Sequence, residues 1–167
     1  MIKVLFVCLG NICRSPTAHG VLERKLAMAG LSDVVEVDSA GTAAWHVGKQ
    51  PDLRSQQAAR KRDYDLSHLR ARQAVAEDFL EFDYVLAMDA ENLENLKAIV
   101  PVDSVGNIKA QPELFLAAYS ASVSASTTIA LTEVPDPYYG GEGGFEAVLD
   151  MVEEACDQLI LNIRSKL

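Results

Sequence analysis

The sequence predicts an α/β fold: a single three-layer domain over residues 1–167, with a central parallel sheet of about four strands and helices on both faces. Short apolar runs alternate with longer segments whose apolar residues recur at helical spacing, and this alternation is typical of a parallel sheet. A length of 167 residues fits one domain with a sizeable core. The composition, 49% apolar and 23% charged, is that of a globular protein and excludes a disordered or fibrous chain.

The first strand and the first helix follow each other directly. The apolar run Val4–Leu9 predicts a fully buried strand. Ser15 and Pro16 predict the start of a helix, with the serine as N-cap and the proline at the first helical position, and Gly30 predicts its end.

Later elements are predicted from the same signals. They are a strand over Val34–Val37, a helix from Pro51 to about Arg62, a strand over Tyr84–Met88 that ends at Asp89, a helix that ends before Pro101, and a short strand over Val105–Lys109. The last helix has the clearest apolar stripe, and Cys156 lies within that stripe, which predicts a packing role for its thiol. The Ser/Ala-rich segment Ala117–Thr128 is compatible with either a loop or a short helix.

The net charge of −9 is unevenly distributed along the chain. Lys49–Arg72 holds seven basic and three acidic residues, whereas Val75–Asp157 holds two basic and seventeen acidic ones. Such an acidic chain is unsuited to nucleic acid, which requires a basic surface, although the basic stretch is suited to an anionic substrate. No apolar run approaches the roughly 18 residues of a membrane span, and the N-terminus lacks the features of a signal peptide.

The chain has three cysteines and three histidines, and their spacing predicts neither a disulfide framework nor a metal site. Reduced thiols fit a cytoplasmic protein. We therefore expect no metal, no contact with nucleic acid or membrane, and a chemical role for one of the thiols.

The candidate site is the segment Cys8-Leu9-Gly10-Asn11-Ile12-Cys13-Arg14-Ser15-Pro16. A thiol ends a strand, five residues separate it from an arginine, and a helix begins at once. Gly10 and Asn11 tolerate positive φ angles, so the loop can wrap its amide groups around an anion at the helix N-terminus. Arg14 offers a planar guanidinium that binds two phosphate oxygens, and the same positive field stabilises a thiolate at Cys8. The Ser15 hydroxyl can both cap the helix and donate towards the sulfur. We predict a phosphate-binding loop built around a nucleophilic cysteine.

The sequence resembles the low molecular weight protein tyrosine phosphatases. VCLGNICRSP is similar to the signature of that family, and four further motifs match it in the family's order over nearly the whole length. These motifs are VDSAGT around Ser39, SHLRARQ around His68, FDYVLAMD ending at Asp89, and PDPYYG around Asp136.

The resemblance implies a role for each catalytic residue. Cys8 would attack phosphorus and form a phosphocysteine intermediate, and Arg14 would bind the phosphate and stabilise the transition state. Asp136 would protonate the leaving phenolate and then activate water. The loop residues implied in phosphate binding are Leu9, Gly10, Asn11, Ile12, Cys13 and Ser15. No cofactor is implied, because the amide groups and the arginine supply the positive field.

The resemblance also implies supporting and specificity residues. Asn11, Ser15, Ser39 and His68 would form a hydrogen-bond network that keeps the loop in shape. Asp89 would either orient the site or cap the following helix.

Trp45, Tyr138 and Tyr139 would form the walls of a slot deep enough for phosphotyrosine. Ile12 favours phosphotyrosine over phosphoarginine, since related phosphoarginine enzymes tend to carry threonine there. Cys13 would form a reversible disulfide with Cys8, or simply pack in the loop.

Two other functions remain open at this point. An arsenate reductase would use the same loop, but it needs further thiols near the third strand, where this sequence has none. A non-catalytic phosphotyrosine-binding module would be favoured by loss of Cys8 or Asp136, and both are present. The expected partner is a phosphotyrosine-containing protein, a tyrosine kinase among the candidates, and the chain is expected to be a monomer or to self-associate weakly through Trp45 and Tyr139.

Overall fold

A computed structural model describes residues 1–102, 105–120, 132–140 and 143–167. Within these ranges four strands form one sheet: β1 (Ile2–Cys8), β2 (Val35–Gly41), β3 (Tyr84–Ala87) and β4 (Pro112–Leu114). All neighbouring pairs are parallel, and the order across the sheet is β2-β1-β3-β4. The helices in the same ranges are α1 (Arg14–Met28), α2 (Leu53–Arg60), α3 (Asp78–Glu81), α4 (Ala90–Lys97), α5 (Phe115–Tyr119) and α6 (Gly144–Arg164).

The central strand β1 is buried on both faces because its side chains alternate between two cores. Val4 and Phe6 face the core that α1 and α6 cover, where the Phe6 ring lies edge-on to Phe115 with 5.0 Å between the ring centroids. Leu5 and Val7 face the second core, which α3 and α4 cover. The predicted parallel sheet with helices on both faces is confirmed.

The predicted strand over Val105–Lys109 is wrong. Val105–Asn107 is a single 3₁₀ turn, and the fourth strand is Pro112–Leu114, which pairs with Val85–Ala87. The region predicted as a strand contains Gly106 and Asn107, which favour turns over a strand interior. A proline within β4 concealed the true strand, and proline is tolerated there because β4 lies at the edge of the sheet.

Two element boundaries differ from the prediction at places that matter for the site. Helix α1 begins at Arg14 with Cys13 in the N-cap position, so Ser15 lies inside the helix and its hydroxyl does not cap it. Strand β2 extends to Gly41, beyond the predicted end at Val37, because it pairs with β1 along that strand's entire length. The polar pair Asp38-Ser39 concealed this extension in the sequence.

The segment Ala117–Thr128 is only partly described. Ala117–Tyr119 belong to α5, which favours the helical interpretation for its start. Ser120 follows as the C-cap of α5, and the rest of the segment, residues 121–128, lies outside the described residues. No helix in the described ranges combines the length and the apolar character that crossing a membrane requires.

Candidate active site

The loop between β1 and α1 is anchored through its carbonyl groups. The amides of Thr42 and Ala43 donate to the carbonyls of Cys8 and Leu9 at 2.9 Å, and the amide of Asp52 donates to that of Ile12 at 2.8 Å. In contrast, the amides of residues 9–13 donate no hydrogen bond to another described residue. Unpaired amides grouped before a helix N-terminus form a binding site for an anion.

Asn11 fixes the shape of this loop. Its backbone is left-handed, with a φ of 58°. Its side chain bonds at both ends, because Oδ1 accepts from the amide of Arg72 at 3.0 Å and Nδ2 donates to the hydroxyl of Ser15 at 2.7 Å. The Ser15 hydroxyl lies 3.0 Å from the Cys8 sulfur and 3.3 Å from the carbonyl of Ala40. Asn11 therefore couples the loop to the segment at Arg72 and directs the Ser15 hydroxyl towards the sulfur.

The loop packs against β2 so closely that a side chain would not fit between them. A Cβ atom on Gly41 would lie 2.7 Å from the carbonyl oxygen of Leu9 and 3.1 Å from the amide nitrogen of Asn11. Both contacts are to backbone, which cannot rotate away. The glycine of VDSAGT is required by the close approach of the phosphate loop, a role that the sequence prediction missed.

Arg14 is buried and bridges the loop to the ends of other elements. Its Nη1 donates to Asp89 Oδ2 at 2.6 Å and to the carbonyl of Val134 at 3.1 Å, and its Nη2 lies 3.6 Å from Asp136 Oδ2. Burial alone lowers the pKa of Arg14, but the negative charges of Cys8, Asp89 and Asp136 outweigh burial and raise the pKa above its usual value. Asp89 contacts Arg14 and also caps α4 as expected, because its Oδ1 accepts from the amide of Asn92.

Asp136 lies at the rim of the site, on a turn next to the end of β3, and its side chain is 31% exposed. The amide of Val134 donates to the carbonyl of Met88 at 2.7 Å, which holds the preceding segment at the end of β3. Asp136 Oδ1 accepts from the amide of Tyr138 at 3.0 Å and caps the 3₁₀ turn Pro137–Tyr139. Its other carboxylate oxygen faces Arg14.

These groups surround a cleft of about 240 Å³. Its lining consists of Cys8, Leu9, Gly10, Ile12, Cys13, Arg14, Trp45, His46, Asp136 and Tyr138. Trp45 is 69% exposed and Tyr138 41% exposed, as befits residues at the mouth of a cleft. Tyr139 belongs to the same turn as Tyr138, but its side chain lies outside the described part of the structure. His46, which approaches Gly10, was not predicted.

His68 is linked to Ser39 of the predicted network indirectly, through Glu23 and His19. Ser39 bonds to the buried His19, whose Nδ1 lies 3.0 Å from the Ser39 hydroxyl. The other ring nitrogen of His19 bonds to Glu23, and His68 reaches only the far oxygen of that carboxylate, at 3.3 Å. The His68 side chain is 55% exposed, and the group that bonds to Asn11 Oδ1 is the backbone amide of Arg72.

Cys13 and Cys156 differ in position as well as in environment. Burial raises the pKa of Cys13 to about 12, although Cys13 still lines the cleft. Burial also raises the pKa of Cys156, which lies in the core under α6 as predicted. Of these two thiols, only that of Cys13 can take part in chemistry at the site.

The fold and the site together define an α/β protein whose loop after the first strand combines a cysteine, an arginine and a group of amides suited to an anion. The family model for low molecular weight phosphotyrosine protein phosphatase matches residues 3–167. A low molecular weight protein-tyrosine-phosphatase of Bacillus subtilis, YfkJ, is 37% identical over 166 residues, which are 99% of this chain and 98% of the relative.

Two solved structures are similar over the same length. A protein tyrosine phosphatase from Entamoeba histolytica with Hepes in the active site has a TM-score of 0.85 and 40% identity, covering 100% of both chains. A drosophila arginine phosphatase has a TM-score of 0.83 and 31% identity, covering 97% of this chain and 98% of that chain. The chain therefore belongs to the low molecular weight phosphotyrosine protein phosphatase family and is an enzyme of that class.

We expect Gly41→Ala to weaken phosphate binding about 10²-fold, because the new methyl group displaces the loop backbone and misplacement by about 1 Å has effects of that size. The inhibition constant of inorganic phosphate measures the effect, and urea unfolding shows whether the fold survives. Gly106→Ala is the matched control, since its Cβ would meet no atom within 4 Å. An unchanged phosphate constant in folded Gly41→Ala protein would contradict the role given to this contact.

Proposed function

We propose that the protein hydrolyses phosphotyrosine in phosphoproteins through a phosphocysteine intermediate, with Cys8 as nucleophile, Arg14 as phosphate-binding group and Asp136 as general acid and base. One observation carries the proposal: residues from three separate segments converge on one cleft beside the unpaired amides of the loop. Small aryl phosphates are substrates of the same kind.

In the first step the Cys8 thiolate attacks phosphorus and the bond from phosphorus to the tyrosyl oxygen breaks. Asp136, in its protonated form, gives its proton to that oxygen, so that tyrosine leaves as a neutral phenol. The Ser15 hydroxyl supports the thiolate from 3.0 Å. The loop amides and Arg14 stabilise the charge that spreads over the three equatorial oxygens.

In the second step water attacks phosphorus and the bond from phosphorus to sulfur breaks. The ionised Asp136 accepts a proton from this water, and Cys8 leaves as a thiolate. Asp89 holds one edge of the Arg14 guanidinium throughout, which leaves the rest of the group for the phosphate.

The shape of the cleft favours phosphotyrosine over other phosphorylated side chains. Trp45 and Tyr138 are exposed and line the same cleft as the buried Cys8, an arrangement that suits a substrate with its phosphate at the end of a long flat group. Phosphoserine is too short for this. Phosphoarginine is the second candidate, favoured by the similarity to the drosophila arginine phosphatase. Ile12 counts against it, because this apolar side chain offers no acceptor for guanidinium hydrogens.

A panel of three peptides that differ only in the phosphorylated residue tests the substrate class. We expect kcat/KM for phosphotyrosine to exceed that for phosphoserine and phosphoarginine by about 10²-fold or more, since a pocket shaped for a ring leaves the other groups poorly placed. Phosphate release measures all three substrates. Faster hydrolysis of phosphoarginine would overturn the assignment, and binding without hydrolysis of any peptide would indicate a binding module.

Two substitutions test the roles of Cys8 and Asp136. We expect Cys8→Ser to abolish turnover while phosphopeptide binding remains, and Asp136→Asn to slow hydrolysis of phenyl phosphate by roughly 10²–10⁴-fold. Glu133→Gln, an exposed carboxylate three positions before Asp136, is the control and should leave the rate unchanged. Full activity in Asp136→Asn would require another general acid.

The proposal extends to reversible oxidation of the nucleophile. Peroxide converts the Cys8 thiolate to a sulfenic acid with reduction of the peroxide, and the Cys13 sulfur then forms a disulfide with release of water. The presence of Cys13 in the same loop and the same cleft as Cys8 supports this step.

We expect wild-type activity to return after peroxide treatment when a dithiol is added, whereas the Cys13→Ser variant recovers little because its Cys8 oxidises further. Activity before and after reduction, with mass spectrometry of the loop peptide, gives the answer. Equal recovery in both proteins would leave Cys13 with a packing role.

A further inference from the structure

Arg54, near the start of α2, is fixed to the segment that supports the phosphate loop. Its Nε and Nη2 donate to the two carboxylate oxygens of Asp52 at 3.1 and 3.0 Å, so the plane of the guanidinium is set by a two-point contact. The backbone amide of Asp52 in turn donates to the carbonyl of Ile12 in the loop. Arg54 therefore occupies a defined position relative to the loop without lining the cleft.

The same guanidinium contacts the turn that carries Asp136. Its central carbon lies 5.2 Å from the centre of the Tyr138 ring and 4.9 Å from that of Phe145 at the start of α6. Its Nη1 also donates to the carbonyl of Tyr138 at 3.5 Å. Tyr138 is the residue whose amide donates to Asp136, so one side chain connects the phosphate loop to the turn of the general acid.

We propose that Arg54 is a positioning residue that holds Asp136 at the distance and angle needed to protonate the leaving group. The inference rests on the function proposed above, because it assigns a support to the general acid of that reaction. Arginine suits this place better than lysine, since only a planar guanidinium pairs with a carboxylate at two points and stacks on aromatic rings. The guanidinium is about half exposed, so geometry matters here more than charge.

The dependence of the rate on the leaving group distinguishes positioning of the acid from a general structural role. A basic leaving group such as phenolate requires the proton of Asp136, whereas 2,4-dinitrophenolate leaves without it. We expect Arg54→Ala to lower kcat/KM about tenfold for phenyl phosphate and less than about twofold for 2,4-dinitrophenyl phosphate, a partial version of the loss of the acid itself. The comparison uses kcat/KM because it reports the first step alone, whereas kcat also includes the second step, in which Asp136 acts on every substrate alike. Arg54→Lys should resemble Arg54→Ala, because it keeps the charge but not the fork and the stack.

The experiment measures both substrates in the wild type, Arg54→Ala, Arg54→Lys, Asp136→Asn and the double variant Arg54→Ala/Asp136→Asn, with phosphate inhibition as a check on the loop. Arg60→Ala, an exposed arginine on the same helix, is the matched control. We expect Arg54→Ala to have no further effect once Asp136 is replaced. An equal loss of kcat/KM with both leaving groups, a higher inhibition constant of inorganic phosphate, or additive effects in the double variant would overturn the assignment and leave Arg54 a structural residue.

The two proposals fail in different ways. If Asp136→Asn slows phenyl phosphate hydrolysis steeply and Arg54→Ala does not, only the role of Arg54 is wrong. If Asp136→Asn leaves the rate unchanged, the acid of the proposed function is wrong, and the role of Arg54 is overturned with it.

Discussion

The amides of the loop between β1 and α1 set the main constraint on this structure, because they donate to no described residue while the loop's carbonyls are bonded from outside. Amides without a protein acceptor do not themselves hold a loop in shape, so the surroundings of this loop must impose its conformation. Those surroundings are the paired side chain of Asn11, the missing side chain of Gly41 and the carbonyl contacts with neighbouring segments. The same arrangement leaves several amides free to donate to one tetrahedral anion.

The residues proposed to act in catalysis are attached to the fold in two different ways. Cys8 and Arg14 belong to a strand and a helix of the central layers and are almost fully buried. Asp136 belongs to a turn at the surface, connected to the remainder of the site through Val134, Arg14 and the stack on Arg54. Such a division suits a reaction in which phosphate must be held rigidly while the acid has to admit a bulky substrate and change its protonation state.

The loop after β1 could be predicted from the sequence because its parts are contiguous: the strand, the glycine, the arginine and the helix follow one another within a few residues. Asp136 could be predicted only through family resemblance, since nothing local distinguishes an aspartate before a proline from an ordinary turn. His19 carried a weak local signal, as it stands four positions after Ser15 and four before Glu23, on one face of α1.

Arg54 and the backbone of Arg72 carried no such signal, because their partners lie on distant segments and meet them only through the packing of the fold. The edge strand β4 was missed for a related reason. It is only three residues long and contains a proline, so its sequence does not indicate a strand, and it forms because it pairs with β3.

Strand β2 supports the loop between β1 and α1, although it lies at the edge of the sheet. It is an outer strand of the sheet, yet its last residue, Gly41, makes the close approach to the loop. The residues just after Gly41 supply the amides that donate to the loop carbonyls. The segment around Arg72 and Gln73 pairs with the same end of β2. Margins of sheets open more readily than their centres. We therefore expect local opening at this edge of the sheet to abolish catalysis while most of the molecule stays folded.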